Sequence, residues 1–187
     1  MGDYTYLVAQ LPSLIYGQIP PMSSVHFKGL AKPLLSKTDA ALFDSLSLDP
    51  APEDQAKTGS DFIDKWNEWE RSLRLNLAKR RAVKIKRDAP VEPLPYPQDA
   101  AAAAARAVNN TESPLEGEMM LDRARWNAIE SLQGYDYFNR NVVFAYMLKL
   151  LLLERRQSFK TEEGFAEYKS LYASILENAQ ESVGEPK

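Results

Sequence analysis

The sequence predicts an all-α protein: one single-domain helical bundle of about six to eight helices over residues 1–187, with a buried apolar helix at its centre. In several long stretches, apolar side chains recur every three or four residues, which is typical of amphipathic helices. Glycine and proline separate these stretches, as they do between helices. Residues 3–11 alternate as a strand would, but no other segment offers a partner strand, so we predict a helix there too.

The central helix is predicted at about 139–158. Between Val142 and Leu153 only Lys149 is charged, and a helix that is apolar all round belongs in a protein core or a membrane. This stretch spans roughly 18 Å, which is too short for a bilayer core of about 30 Å. We therefore expect a core helix that buries Leu148 and Leu151.

The preceding helix is predicted to begin at Ser113, where a serine N-cap, Pro114 at the first position and Glu116 at the third suggest a capping box. Gly134 ends it, as glycine does where the chain needs a left-handed turn. The apolar residues at helical spacing are expected to face inward: Leu115, Met119, Trp126, Ile129 and Leu132.

The longest helix is predicted at about 61–87, capped by Ser60, with its acids in the first part and its bases in the rest, as the helix dipole favours. One stripe steps along it by four, three, four and four residues: Phe62, Trp66, Trp69, Leu73 and Leu77. The basic part, 71–87, is either a solvated helix end or a surface for an acidic partner or phosphate. Its candidate partner-binding residues are Arg71, Arg74, Lys79, Arg80, Arg81 and Lys84.

Short helices are predicted in the first third of the chain. One is capped by Ser23 or Ser24 and ends near Pro33, with Val25, Phe27, Leu30 and Leu34 inward. The next follows Ser36, with Leu42, Phe43 and Leu46 apolar. The other predicted segments are loops at 47–60 and 88–97, an alanine-rich helix at 98–108, a helix at about 162–180 and a polar tail at 181–187.

Composition argues against most kinds of chemistry. There is no cysteine, which excludes disulfides and thiolate chemistry and fits a reducing cytoplasm. His26 is the only histidine, so a zinc site would depend on carboxylates almost alone; we interpret His26 as structural or exposed. A glycine-rich phosphate loop, a Gly-x-Ser-x-Gly motif and a signal peptide are all missing. We predict a non-enzymatic protein with no catalytic residues, no metal and no cofactor.

Several motifs follow one another in the second half of the chain: Leu121-Asp122-Arg123 with Trp126, then Gly134-Tyr135-Asp136-Tyr137-Phe138, then Ala145-Tyr146-Met147-Leu148-Lys149-Leu150 with Glu154-Arg155. Residues 113–180 thereby resemble the helical module of the V/A-type ATPase subunit called C in prokaryotes and d in eukaryotes. The opening Tyr4-Thr5-Tyr6-Leu7-Val8-Ala9 with Leu11-Pro12 most resembles a small uncharacterised bacterial family encoded beside V-type ATPase subunits. At 187 residues, the chain is too short for the three modules of the larger subunit.

The resemblance implies a non-catalytic structural or coupling subunit in proton or sodium transport, which links the central stalk to the membrane ring of proteolipid subunits. It also implies a cytoplasmic location, peripheral at the inner face of the plasma membrane, with membrane association only through protein contacts. The turn at 134–138 has two interpretations. Either its aromatic side chains fill the core while Asp136 bonds the following backbone, or the turn is exposed and contacts a partner.

Two alternatives remain: a helical adaptor outside the motor, and a nucleic-acid-binding protein that uses 71–87. Nucleic-acid binding is not expected, because the net charge is -3 and no recognised binding module is present.

Overall fold

The computed structural model describes residues 4–51, 57–87, 98–109 and 113–159. Within these ranges the chain forms seven α-helices, one short 3₁₀ helix and no strand, so the all-α prediction is confirmed. The predicted connector at 88–97, the helix at 162–180 and the tail at 181–187 lie outside the described residues, as does part of the loop at 47–60.

The contacts divide the chain into two units, Met1–Glu154 and Arg155–Lys187. Of the second unit, only residues 155–159 are described. The helices are α1 (Tyr4–Ala9), α2 (Ser24–Ala31), the 3₁₀ helix (Lys32–Leu34), α3 (Lys37–Asp44), α4 (Asp61–Lys84), α5 (Gln98–Asn109), α6 (Pro114–Gln133) and α7 (Arg140–Gln157).

Helix α7 supplies the centre of the core, as predicted. Leu148 is completely buried, whereas Leu151 is only partly buried and packs at the edge of the core. Aromatic rings join α7 to three other helices: Phe144 packs 6.3 Å from both Phe43 of α3 and Phe62 of α4, and Tyr146 packs 4.7 Å from Phe27 of α2 (centroid distances). None of the helices in the described ranges has the length and hydropathy needed to cross a bilayer.

Helix α4 packs against α5 and α6, and all five residues of its predicted stripe are buried. The indole nitrogen of Trp66 donates to the Ser47 carbonyl at 3.1 Å, and that of Trp69 donates to Asp99 Oδ2 at 2.9 Å. The alanines of α5 are small enough for α4 and α6 to approach closely, and four of them are buried: Ala100, Ala103, Ala104 and Ala107.

Two of the predicted serine caps are right in position but do not form the expected side-chain bond. Ser60 and Ser113 occupy the N-cap positions of α4 and α6, but neither side chain makes a capping hydrogen bond. At the start of α4 the side-chain bonds are made by Asp64 instead. Its Oδ1 accepts from the backbone N–H of Thr58 at 2.9 Å and from the Thr58 hydroxyl at 2.8 Å. The caps at Ser23 and Ser36 do form, on the amides of His26 and Asp39.

The predicted inward faces of α2 and α6 need correction. Val25 and Leu30 are exposed, because the buried face of α2 consists of Ser24, Phe27 and Ala31. Leu115 and Met119 are exposed as well. The buried stripe of α6 starts one turn later and comprises Gly117, Leu121, Asp122, Arg125, Trp126, Ala128 and Ile129.

Candidate functional site

The basic stretch of α4 divides into residues that hold the protein together and residues that face a cavity. Arg71 Nη2 donates to the Ala51 carbonyl at 2.7 Å. Arg74 donates to Glu70 Oε1 at 2.9 Å and to Asp49 Oδ1 at 2.6 Å. Both guanidinium groups therefore fasten the segment before α4 onto that helix, which is a structural role that the sequence did not reveal.

The other basic residues lie toward the C-terminal end of α4. Arg81 remains largely exposed and forms a loose ion pair with Glu118 Oε1 at 3.5 Å. Three more cations line a cavity of about 630 Å³ between α4 and α5, together with Asn76, Val83, Val108 and Asn109. These cations are Lys79, Arg80 and Lys84, and the ion pairs formed within the described ranges include none of them.

Three of the motif residues that carry the resemblance, Arg123, Trp126 and Lys149, take part in contacts at the junction of α6 and α7. The Trp126 indole donates to Glu130 Oε1 at 2.8 Å, and Lys149 Nζ binds the same oxygen at 3.2 Å. Lys149 also lies 5.0 Å from the Trp126 ring centroid. Tyr16 packs edge-on against Trp126, and the Arg123 guanidinium lies 4.7 Å from the centroid of the Tyr16 ring.

Glu154 and Tyr146 tie α7 to the N-terminal part of the chain. The Glu154 carboxylate accepts from the backbone N–H and the hydroxyl of Ser24, both at 2.6 Å, so it places a negative charge where the α2 dipole favours one. The Tyr146 hydroxyl donates to the Pro12 carbonyl at 3.0 Å. Burial raises the pKa of Tyr146 to about 12.

The turn between α6 and α7 is exposed, so of its two interpretations the one in which the aromatic rings fill the core is wrong. Tyr135, Tyr137 and Phe138 are 94%, 60% and 54% exposed. They lie beyond the end of α6 and before the start of α7, where the core stops. The predicted bond of Asp136 is confirmed: its Oδ1 accepts from the Phe138 N–H at 3.1 Å. Gly134 turns the chain with φ of 75°, which glycine adopts without a steric penalty.

The sequence reasoning missed a buried ionic network between α4 and α6. Glu70 is completely buried, and its carboxylate accepts hydrogen bonds from Arg125 Nε at 2.9 Å and from Arg125 Nη2 at 3.0 Å. Arg125 Nη1 donates to Asp122 Oδ1 at 2.9 Å. Burial disfavours the charged guanidinium, but Glu70 and Asp122 outweigh it and raise the pKa of Arg125 above its usual value. A signal existed, because Glu70 falls four residues after Trp66 and three before Leu73, on the buried stripe.

A second polar cluster joins α1, α3 and α7. The Asp39 carboxylate accepts from the Tyr4 hydroxyl, from Ser36 Oγ at 2.7 Å and from Arg140 Nη1 at 3.0 Å. Burial alone would raise the pKa of Asp39, but these three donors outweigh it and lower that pKa below its usual value. Burial and the neighbouring carboxylate raise the pKa of Tyr4 to about 12.

His26 is exposed on α2. In the part of the chain that the structure describes, no three His, Cys, Asp or Glu side chains come together as metal ligands would. The sequence matches no model of a known protein family, no curated protein and no solved structure at a significant level.

Proposed function

We propose that the chain is a non-catalytic structural and coupling subunit of a bacterial V/A-type rotary ATPase, acting between the central stalk and the proteolipid ring. The order of motifs within 113–180 supports this proposal. The observation that carries it is the aromatic turn, which we define as residues 134–138. This segment is part of the resemblance, and all three of its aromatic rings face solvent.

Exposed rings of this kind are expected where a protein contacts a partner. Tyrosine and phenylalanine are enriched at protein interfaces, and tyrosine is frequent among the few residues that dominate binding energy. The bond from Asp136 to the Phe138 amide and the glycine conformation at Gly134 fix the backbone of the turn. A pre-organised turn loses less conformational entropy on binding than a free one.

The aromatic turn is also mounted on a rigid support. It connects α6 to α7 directly, and the joint of Trp126, Glu130 and Lys149 fastens these helices to each other. Glu154 then fastens α7 to the start of α2. Force applied at the turn would pass into both helices and from α7 into the N-terminal part, as coupling between a shaft and a ring requires.

The test is affinity purification of the tagged chain from membranes of the source cell, with mass spectrometry of what is retained. The parent is expected to retain central-stalk or ring subunits. A variant with Tyr135→Ser, Tyr137→Ser and Phe138→Ser is expected to lose them while its thermal midpoint changes little, because exposed substitutions usually alter stability by no more than about 0.5 kcal/mol each.

The matched control carries Ile19→Ser, Val25→Ser and Leu30→Ser, which remove three exposed apolar side chains elsewhere. It is expected to retain the same subunits as the parent. A parent that retains no ATPase subunit would overturn the proposal and leave the adaptor outside the motor as the better explanation. A control that loses the subunits as fully as the aromatic variant would show that the aromatic turn is not specifically required for binding them.

A further inference from the structure

The cavity between α4 and α5 combines positive charge with an apolar wall. Its volume is about 630 Å³, within the range of about 300–1,000 Å³ that is usual for small-molecule sites. The lining brings together three cations, two carboxamides and two valines: Lys79, Arg80, Lys84, Asn76, Asn109, Val83 and Val108. A ligand suited to this lining has an anionic group and a small apolar body.

The positive charge of the cavity is not neutralised by an ion pair among the described residues. Across the described ranges, no acidic side chain pairs with Lys79, Arg80 or Lys84. Arg80 and Lys84 are four residues apart on one helix, and like charges at that spacing repel each other. An anion held between them would replace this repulsion with attraction, so the cavity favours an anionic occupant on charge alone.

Arg80 supplies the most specific observation. Its Nε is buried, and the described residues offer it no hydrogen-bond acceptor. A buried N–H without an acceptor is costly and uncommon in folded proteins. Guanidinium groups match the oxygens of phosphate and carboxylate in geometry and charge. Arg80 also lines the cavity, so its guanidinium group can donate to an oxyanion held there.

We propose that this cavity binds an organic phosphate, with the phosphate group held by Lys79, Arg80 and Lys84 and the apolar part against Val83 and Val108. A phosphate monoester carries a charge of about -1.5 to -2 near pH 7, which suits three cations better than one carboxylate does. The phosphate has two chemical sources, a soluble phosphate ester or a lipid headgroup. This inference is independent of the proposed ATPase role.

Isothermal titration calorimetry on the full chain at pH 7 tests the proposal with phenyl phosphate, inorganic phosphate and phenol as probes. Phenyl phosphate is expected to bind most tightly, inorganic phosphate more weakly and phenol not at all. Arg80→Gln and Lys84→Gln are each expected to weaken phenyl phosphate roughly tenfold or more, because hydrogen bonds to charged groups are among the stronger ones. Circular dichroism would confirm that each variant is folded.

Arg81→Gln is the matched control, since it removes one arginine charge at the next position and Arg81 is not among the residues that line this cavity. It is expected to leave phenyl phosphate affinity within about twofold of the parent, because exposed charges are screened by salt. Flotation with phosphatidylcholine vesicles, with and without phosphatidic acid, separates the two sources. Recruitment only by phosphatidic acid indicates a lipid headgroup, and phenyl phosphate binding without recruitment indicates a soluble ester.

Three results would overturn the proposal. The first is no saturable heat from either phosphate probe with the folded parent. The second is an equal loss of phenyl phosphate affinity in Arg80→Gln and Arg81→Gln, which would show only general electrostatic attraction. The third is binding of a glutamate-rich peptide in the absence of phenyl phosphate binding, which would assign the cavity to an acidic protein partner.

Discussion

At the scale of residues, the Glu70–Arg125 pair shows how a charged contact can determine which helices meet. Both side chains are buried, and removing two ions from water costs several kcal/mol each before their attraction is counted. Arg74 adds a third donor to Glu70, and Asp122 adds a second acceptor for Arg125. Because every partner is in place, the pair fixes α4 against α6, while an unmatched partner would leave a buried charge.

We predict that Arg125→Met lowers the free energy of unfolding by about 3–5 kcal/mol, since it leaves Glu70 without its main partner in the core. Glu70→Leu combined with Arg125→Met is expected to cost less than the sum of the two single changes, because the members of one network are coupled. Urea denaturation measures all three variants. Lys65→Met, at an exposed ion pair with Asp61, is the control, and a loss as small as this control's would contradict the prediction.

At the scale of elements, periodicity predicted the long helices well and the short ones less well. The α4 stripe and the α7 core follow from several turns of consistent spacing. Helix α2 has only 8 residues. Two apolar side chains outside its buried face, Val25 and Leu30, were therefore enough to give a wrong prediction of which side of the helix faces inward. Its N-terminal partner, Glu154, lies 130 residues away, and local sequence patterns contain no information on such a contact.

The candidate site was predictable in part, for the same reason. A run of bases identified the end of α4, but the sequence could not separate Arg74, which binds buried Glu70, from Arg80, which lines a cavity. The distinction depends on α5 and on the segment before α4, both of which meet the helix only after folding. The position of the aromatic turn was predicted correctly. Whether its rings are exposed could not be predicted, because this depends on where the core ends.

Leu148 and Leu151 of α7 differ in burial, so truncating them is expected to lower stability by different amounts. Leu148→Ala is expected to lower the free energy of unfolding by roughly 2–5 kcal/mol, because Leu148 is completely buried and a cavity would remain. Leu151→Ala is expected to cost clearly less, since Leu151 is only partly buried. Val25→Ala, at an exposed position of α2, is the control. Equal midpoints for Leu148→Ala and Leu151→Ala in denaturant would contradict this order.

At the scale of the whole molecule, polar contacts join parts that are distant in sequence. The Asp39 cluster connects α1, α3 and the first residue of α7, and Arg140 lies 101 residues from Asp39. Tyr16 reaches the Met119 carbonyl across 103 residues. These bonds fix the N-terminal third onto α6 and α7, so a change at one of them is expected to affect the stability of the whole fold.

Acid should weaken this arrangement in a defined direction. The pKa of Asp39 is lowered in the folded protein from its usual 3.8, so its stabilising contribution is complete well above pH 3.8 and is lost as the pH falls through the folded value. We expect Asp39→Asn to reduce stability at pH 7 and to differ progressively less from the parent toward pH 2. Tyr4→Phe, which removes one donor, should give an intermediate profile. A constant difference across this range would contradict the assignment.

The bond between Glu154 and Ser24 also bears on how the protein is made. A ribosome releases the start of α2 long before Glu154 has been translated, because 130 residues separate the two. Until then the first turn of α2 lacks its carboxylate acceptor, and the Pro12 carbonyl lacks the hydroxyl of Tyr146. The N-terminal third can therefore complete these two contacts only after the distal helix has been made.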